Sequence, residues 1–224
     1  SVIVTDTNGC VDTSLTLMTQ PDSLYITSIT STDVLCNGGN DGTATVTAIG
    51  GVMPYSYLWS NGAITQTGFM SAGNHSVDVT DDNGCTKNKT VYVDQPSPLT
   101  LLKSDSNNLC NGDTLAYCAV SIGGGVGGYS YLWNNNETND SIGSLGAGTY
   151  SVTATDSNGC TISDNFTITE PDTLQSTITK SDVSCHGLHD GDASVSVNGG
   201  VLPHEFYWSN SYINSSINNL FSGM

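Results

Sequence analysis

The fold of this chain is decided by the stretch Tyr129-Ser130-Tyr131-Leu132-Trp133, because the chain contains it three times. The other copies are Tyr55-Ser56-Tyr57-Leu58-Trp59 and the looser Glu205-Phe206-Tyr207-Trp208, and the three tryptophans fall 74 and 75 residues apart. In an extended strand, alternate side chains point to opposite faces. The stretch therefore places three large rings on one face, enough to seed the core of a small β-domain. The fixed period indicates a tandem array of such domains.

Two further motifs recur with the same period and mark the edges of the units. An Asp-x-Asn-Gly-Cys box stands at 6–10, 81–85 and 156–160, and a Gln/Glu-Pro dipeptide follows it at 20–21, 95–96 and 170–171. Proline ends a strand and stiffens a short linker, so we expect joints at these prolines. The predicted units are the C-terminal strands of a truncated repeat (1–21), two complete repeats (22–96 and 97–171) and the truncated N-terminal part of a further repeat (172–224).

The pattern inside a complete unit predicts a β-sandwich. Thr43–Ala48 alternates small apolar residues with threonine, as a half-buried strand does, and Asn83-Gly84 is a strong hairpin signal. Such segments suggest about seven short strands with a turn every 8–12 residues. No segment shows a helical period over ten residues. The predicted fold is all-β, with tandem immunoglobulin-like β-sandwich repeats of about 75 residues.

Composition narrows the class of function. Four Lys and no Arg stand against 21 Asp and Glu, which gives a net charge of −17. Nucleic acids and anionic membranes require clustered cations, so neither is an expected partner. No run of about 18 apolar residues is present, so we expect no membrane insertion. Uncharged polar residues provide most of the solvation, which is typical of secreted β-proteins, and we expect an extracellular, cell-surface location.

The order of these motifs resembles a known family. The series Cys-x-Gly-x-x-Asp-Gly, Pro-Tyr-x-Tyr-x-Trp-Ser-Asn-Gly, Ala-Gly-x-Tyr-x-Val, Asp-x-Asn-Gly-Cys and Gln/Glu-Pro is similar to the SprB repeat of gliding adhesins from Bacteroidota. It resembles polycystic-kidney-disease-type repeats more distantly. Departures include His75 in place of the usual Tyr, and Leu115-Ala116 in place of Asp-Gly. The resemblance implies type IX secretion and a role in surface attachment or gliding motility. It also implies binding of surface polysaccharide or a cell-surface ligand through other regions.

Six of the seven cysteines recur in register. We expect one disulfide in each complete repeat, Cys36 with Cys85 and Cys110 with Cys160, since paired spacing in a secreted chain indicates a disulfide framework. Cys10 and Cys185 would pair with cysteines that lie outside this stretch of the array. Two alternatives stay open. In an ordinary immunoglobulin topology, the turn before the second strand and the last hairpin lie at opposite poles, so Cys36 would instead form a disulfide with Cys160 of the next unit. The second alternative is that the thiols are free. The seventh cysteine, Cys118, occupies an inward strand position, and we predict that it is a buried, inert thiol.

Two other kinds of site are candidates. The boxes offer hard oxygens to calcium at Asp81, Asn83, Asp156 and Asn158. The favoured interpretation is that these side chains cap a tight hairpin, because each box has too few carboxylates for a full calcium shell. Thus no cofactor is expected, with Ca²⁺ as the alternative. The Bacteroidota resemblance implies O-glycosylation at Asp-Ser/Thr-aliphatic sequences, which places candidate sites at Ser23 and Thr173.

The function indicated by these patterns is mechanical. No Ser-His-Asp set, carboxylate pair or phosphate-binding loop stands out, so we predict no enzyme activity. We predict a non-catalytic structural segment of a long secreted adhesin or filament that acts as a rigid spacer, its immediate partners being neighbouring repeats of the same chain. One alternative is a carbohydrate-binding module of a secreted enzyme, which would require an exposed aromatic platform. A second is a filament that assembles by strand exchange, in which residues 1–20 would pack on another unit.

Overall fold

The computed structural model describes residues 1–223, which form β-strands joined by turns. The strands are β1 Val2–Thr5, β2 Val11–Ser14, β3 Tyr25–Thr32, β4 Gly42–Ile49, β5 Ser56–Trp59, β6 Thr67–Met70, β7 Gly73–Thr80, β8 Thr86–Val93, β9 Thr100–Asp105, β10 Ala116–Gly123, β11 Ser130–Trp133, β12 Ser141–Leu145, β13 Gly148–Thr155, β14 Thr161–Ile168, β15 Gln175–Ser181, β16 Gly191–Asn198 and β17 Ser216–Leu220. Within the described range there is no helix of the length and apolarity that a membrane span requires. The chain divides into two compact units at the Ser97–Pro98 bond, next to the expected joint at Pro96.

The first unit contains a complete sandwich built from two three-stranded antiparallel sheets. One sheet has the order β3-β4-β6 and the other β5-β7-β8. With the strands lettered A, B, C, E, F and G along the chain, these are the ABE and CFG sheets of an immunoglobulin-like domain. The structure thus has six strands where the sequence suggested about seven. The chain turns sharply after β5, through a Gly62 N–H to Trp59 C=O bond of 2.8 Å, and passes directly to β6.

The second unit begins with the same sandwich. Its sheets have the orders β12-β10-β9 and β11-β13-β14, all antiparallel. The β10–β12 pairing shifts register between Ala116 and Cys118, which is the irregularity expected of a β-bulge. Strand for strand, the topology repeats that of the first sandwich, so the 75-residue period in the sequence is a period in structure.

The aromatic strand builds the core of each sandwich as its alternation predicts. Trp59 and Trp133 are each 1% exposed, whereas Leu58 and Leu132, one residue earlier, are 54% and 57% exposed. The Trp133 indole N–H donates to the Asn139 carbonyl at 2.9 Å, so its polar edge is satisfied inside the core. The opposite sheet supplies small and β-branched side chains to the same core, as the alternating pattern of β4 and β10 requires.

The remaining segments are partial sandwiches. The hairpin of β1 and β2 leaves all of its side chains exposed. The third repeat has one sheet, β15-β16-β17. Its copy of the aromatic stretch, around Tyr207 and Trp208, is not a strand, contrary to the sequence pattern. The physical reason is pairing, because β5 and β11 are held by β7 and β13, and residues 172–223 provide no counterpart.

Candidate functional site

The end of the first sandwich that releases the chain is formed by the turn after β3. Asn37 Nδ2 donates to the Pro96 carbonyl at 3.0 Å, and the Gly38 N–H donates to Gln95 Oε1 at 2.8 Å. The turn that contains Cys36 therefore holds the Gln-Pro dipeptide. We call this end of a sandwich its exit pole.

The chain enters the same sandwich at the opposite end, which is formed by the Gly-Gly loop (Gly50 and Gly51, after β4) and by the Asp-x-Asn-Gly-Cys box. The Gly51 N–H donates to the Asp22 carbonyl at 2.7 Å, and the Asp82 N–H donates to the Val52 carbonyl at 2.8 Å. The box that ends in Cys85 thus lies beside the first residues of its own repeat. We call this end the entry pole.

The second sandwich has the same two poles. At its exit pole, Asn111 Nδ2 donates to Glu170 Oε1 at 3.0 Å and to the Pro171 carbonyl at 3.1 Å. The Gly112 N–H donates to the other Glu170 oxygen at 2.8 Å, and the Thr173 hydroxyl donates to Asn111 Oδ1 at 2.8 Å. One asparagine therefore contacts residues on both sides of Pro171 and fixes the joint to the third repeat. We refer to Asn111, Gly112, Glu170, Pro171 and Thr173 as the joint clamp.

The disulfides expected within each repeat are not formed. Cys85 and Cys110 are free thiols, as are Cys10, Cys118 and Cys185, whereas Cys36 and Cys160 are disulfide-bonded. The geometry of the first sandwich explains why Cys36 does not bond to Cys85. Strand β4 runs from one pole to the other over eight residues, roughly 25 Å at about 3.3 Å per residue. A disulfide requires Cα atoms less than about 7 Å apart, so two cysteines at opposite poles of one sandwich cannot meet.

The carboxylates of the boxes cap their own hairpins. Asp156 is 5% exposed; one of its oxygens accepts the Val126 N–H, and the other accepts those of Asn158 and Cys160, each at 2.9 Å. These bonds, above all that from Val126, hold the pKa of Asp156 below its ordinary value of 3.8. Asp156 thus ties the loop before the aromatic strand to the box.

Asp81 in the first sandwich makes the equivalent bonds, from Val52 at 3.0 Å and Cys85 at 2.8 Å. Its pKa is also lowered: burial alone would raise it, and the backbone N–H donors outweigh that effect. Asn83 and Asn158 lie exposed at the hairpin tips. Among residues 1–223, no group of three or more His, Cys, Asp and Glu side chains is placed to hold a metal ion. These contacts support the hairpin-cap interpretation, and calcium binding at the boxes stays a prediction.

The two candidate glycosylation sites differ in their surroundings. Ser23 is exposed at the entry pole of the first sandwich, where its carbonyl packs against Gly50. Thr173 is also exposed, but its hydroxyl already donates to Asn111 in the joint clamp. Glycosylation stays a prediction at both, and at Thr173 it would compete with that bond.

An apolar groove of about 640 Å³ lies on the open face of the third repeat, within the second unit. It is lined by Leu174, Val195, Val197, Phe206 and Trp208 on the third repeat and by Leu109 and Cys110 on the second. In a complete sandwich the equivalent tryptophan is covered, so the groove is the core surface of a sheet without its partner sheet. It also shows that Cys110 lies at the junction with the following repeat.

Sequence reasoning missed the joint clamp. The Cys-Asn-Gly turn and the Gln/Glu-Pro dipeptide were each recognised as repeated motifs, yet nothing in a linear pattern shows that they touch. Their shared 75-residue period was the available signal. The hairpin-capping role of the Asp residues was predicted, but their bond to the loop before the aromatic strand was not.

The architecture defines a class, that of tandem immunoglobulin-like sandwich proteins. Within it, residues 28–64 and 177–211 match the model of the SprB repeat, which confirms the resemblance drawn from the motifs. The matched segments fall in the first and third repeats. No curated protein sequence matches the chain significantly.

The chain is also similar to solved structures that contain immunoglobulin domains. Dpr2 Ig1-Ig2 in complex with DIP-Theta Ig1-Ig3 is 11% identical, with a TM-score of 0.29 over 86% of this chain and 82% of that chain. The N-terminal eight Ig domains of Down Syndrome Cell Adhesion Molecule are 11% identical, with a TM-score of 0.26 over 97% of this chain and 47% of that one. A structure from work on Dscam isoform specificity is 11% identical with a TM-score of 0.26, and the match covers 56% of this chain and 40% of that chain.

Proposed function

We propose that this chain is a non-catalytic spacer segment of a long cell-surface adhesin, in which each repeat transmits position and force to the next. The observation that carries the proposal is the polarity of each complete sandwich. The chain enters at one pole and leaves at the other, and hydrogen bonds hold it at both poles. A domain with opposed ends adds its full length to an array, whereas one with adjacent ends would fold the array back on itself.

The joint clamp supports the rigid form of this spacer. Proline fixes φ at the joint, and Asn111 contacts residues on both sides of Pro171. A joint held by a restrained backbone and several hydrogen bonds bends less than a flexible linker of the same length. The repeat family and its fold are typically structural, and SprB repeats occur in cell-surface proteins. Type IX secretion, gliding motility and a polysaccharide or cell-surface ligand bound by other regions are further parts of the proposal.

The carbohydrate-binding alternative receives less support. Its requirement was an exposed aromatic platform made by the repeated aromatic strand. In both complete sandwiches the tryptophan of that strand is buried, and the tyrosines beside it are half-buried. The strand-exchange alternative required residues 1–20 to pack on another unit, and in this chain their side chains are all exposed.

Small-angle scattering on proteins with one, two and three complete repeats tests the spacer function. A sandwich with eight-residue strands and loops at both poles is about 40 Å long. We expect the maximum dimension to rise by roughly that amount with each added repeat, because the poles are opposed. Replacing Asn111 with Ala should broaden the distance distribution, whereas Asn135→Ala, on an exposed turn of the same repeat, should leave it unchanged. A maximum dimension that stops rising with repeat number would contradict the proposal.

A further inference from the structure

The groove on the third repeat has a covered counterpart in the second sandwich, within the same compact unit. There the β13–β14 hairpin packs over Trp133 and Val120, which are both buried. One period later in the chain, Trp208 and Val195 line the groove and are only half-buried. We call the side of the β15-β16-β17 sheet that faces the groove the open face. The second sandwich shows that an antiparallel hairpin of the β13–β14 type covers such a face.

The aromatic stretch of the third repeat already has part of the arrangement that it has in a covered sandwich. The Trp208 indole N–H donates to the Asn214 carbonyl at 2.8 Å, and the Trp133 indole makes the equivalent bond at 2.9 Å. The Ser211 N–H donates to the Trp208 carbonyl at 2.9 Å and closes the turn that follows. A second cavity of about 450 Å³, lined by Trp208 and Ile217, lies on the same face. The open face is thus shaped for a cover before any cover binds.

The hairpin of β1 and β2 has the register and the apolar pattern of such a cover. It pairs Val2 with Ser14. The residues 150 positions later, Val152 and Asp164, are paired in the same way in β13 and β14. Val152 is buried in the second sandwich, whereas Val2 and Val4 are both more than half exposed. This hairpin therefore presents core-type side chains without a core beneath them.

We propose that the hairpin of β1 and β2 in one copy of this chain covers the open face of the third repeat in a second copy. One surface is a hairpin without a core, and the other is a core without its hairpin. The register of the second sandwich places Val2 opposite Trp208 and Val4 opposite Phe206. The aromatic stretch then becomes a strand by pairing with β1, since strand addition supplies backbone hydrogen bonds as well as apolar contacts.

Asp6 completes the entry pole of the joined repeat. Its Oδ1 already accepts two backbone N–H groups of its own box at 2.9 Å, as Asp156 Oδ1 does. The other oxygen of Asp156 accepts the Val126 N–H. The equivalent donor in the third repeat is the Val201 N–H, on the loop after β16. Docking therefore brings Asp6 Oδ2 to the Val201 N–H and ties this loop to the box.

This assembly goes beyond the spacer function and has a characteristic dependence on salt. Each copy carries one hairpin and one open face, so copies join head to tail. The net charge of −17 on each copy opposes association at low ionic strength. Added salt screens that repulsion and leaves the burial of apolar surface in place. Association should therefore strengthen as the salt concentration rises.

Sedimentation velocity on the whole chain, over a range of protein and salt concentrations, tests the proposal. We expect species larger than the monomer at high protein concentration. Val4→Asp on the hairpin and Val195→Asp on the open face should each raise the dissociation constant at least about tenfold, because each buries a carboxylate without a partner. A mixture of the two variants should associate again but stop at a dimer, because each variant keeps the surface that the other has lost.

Ile3→Asp and Ser196→Asp are the matched controls. Each lies next to a tested residue on the same strand and points to the opposite face, because a strand alternates its side chains. At the position equivalent to Ile3, the first repeat itself has an aspartate, Asp78. Both controls should associate as strongly as the unsubstituted chain.

Tryptophan fluorescence gives a second readout of the same docking. Trp59 and Trp133 are already buried, whereas Trp208 is half-buried. Acrylamide should therefore quench mainly Trp208 in the monomer, and this quenching should fall as the protein concentration rises. It should not fall in Val4→Asp.

Three results would overturn the proposal. The first is a chain that stays monomeric at high protein and salt concentration. The second is association that Ile3→Asp weakens as much as Val4→Asp does. The third is association that persists in Val195→Asp, which would mean that two hairpins pair with each other. Circular dichroism distinguishes lost association from lost fold, and Val4→Asp is the decisive variant if Val195→Asp does not fold, because Val4 is exposed in the monomer. Failure here would leave the scattering test of the spacer function intact, since proteins made of complete repeats contain neither this hairpin nor the open face.

Discussion

Removing the tryptophan ring from the core of the second sandwich should destabilise that sandwich alone. Trp133 is 1% exposed, its ring centroid lies 5.4 Å from that of Phe166, and its indole N–H is bonded to the Asn139 carbonyl. Trp133→Ala leaves a cavity in the core and removes the hydrogen bond to the Asn139 carbonyl, which together cost about 3–5 kcal/mol. A 75-residue repeat is stable by about 4–11 kcal/mol, so the substitution removes much or all of the stability of the repeat.

Hydrogen exchange read by mass spectrometry is the suitable assay, since it reports each repeat separately. Amides of β10, β13 and β14 should lose protection by roughly 150- to 5,000-fold, the equivalent of 3–5 kcal/mol. Amides of the first sandwich should keep theirs.

Leu132→Ala is the matched control, because Leu132 is on the same strand but 57% exposed. It should change stability by about 0.5 kcal/mol or less. Equal losses for the two variants, or no loss for Trp133→Ala, would refute the assignment of the aromatic strand to the core.

Three further outcomes are expected. Because backbone hydrogen bonds depress the folded pKa of Asp156, its carboxylate stabilises the second sandwich fully at pH values above the unfolded pKa of about 3.8, and this stabilisation is lost as the pH falls through the folded pKa. The urea midpoint of the second sandwich should therefore drop in that acid range, and Asp156→Asn should flatten the drop. Gly124→Ala should destabilise the entry pole by about 1–3 kcal/mol, since the residue has φ +75° and its Cβ would collide with the Pro98 carbonyl, whereas Gly143→Ala, where a Cβ would meet open space, should cost much less. In timed iodoacetamide labelling at pH 8, the exposed Cys110 should react within minutes, whereas Cys118 should not. The reason is that burial raises the pKa of the Cys118 thiol to about 11. Rapid labelling of Cys118 in the folded protein would contradict its place in the core.

Much of each sandwich was predictable from local patterns. Alternation placed Trp59 and Trp133 inside and their leucine neighbours outside, because a strand has a fixed period of two. The repeated box predicted a hairpin capped by Asp81 and Asp156, because carboxylates bond to nearby backbone N–H groups. Six strands replaced the expected seven, since the number of residues needed to cross between sheets is not visible in a pattern of polarity.

The sequence by itself determined the period, the inward face of each strand and the motifs that close each repeat, all of which depend on residues close together in the chain. Only the tertiary structure decided which of those motifs meet. Asn37 is near Pro96, and Val126 is near Asp156, because antiparallel strands return distant segments to the same pole. The same physical fact separates Cys36 from Cys85: an eight-residue strand is a stiff spacer, and the cysteines of one repeat stand at its two ends.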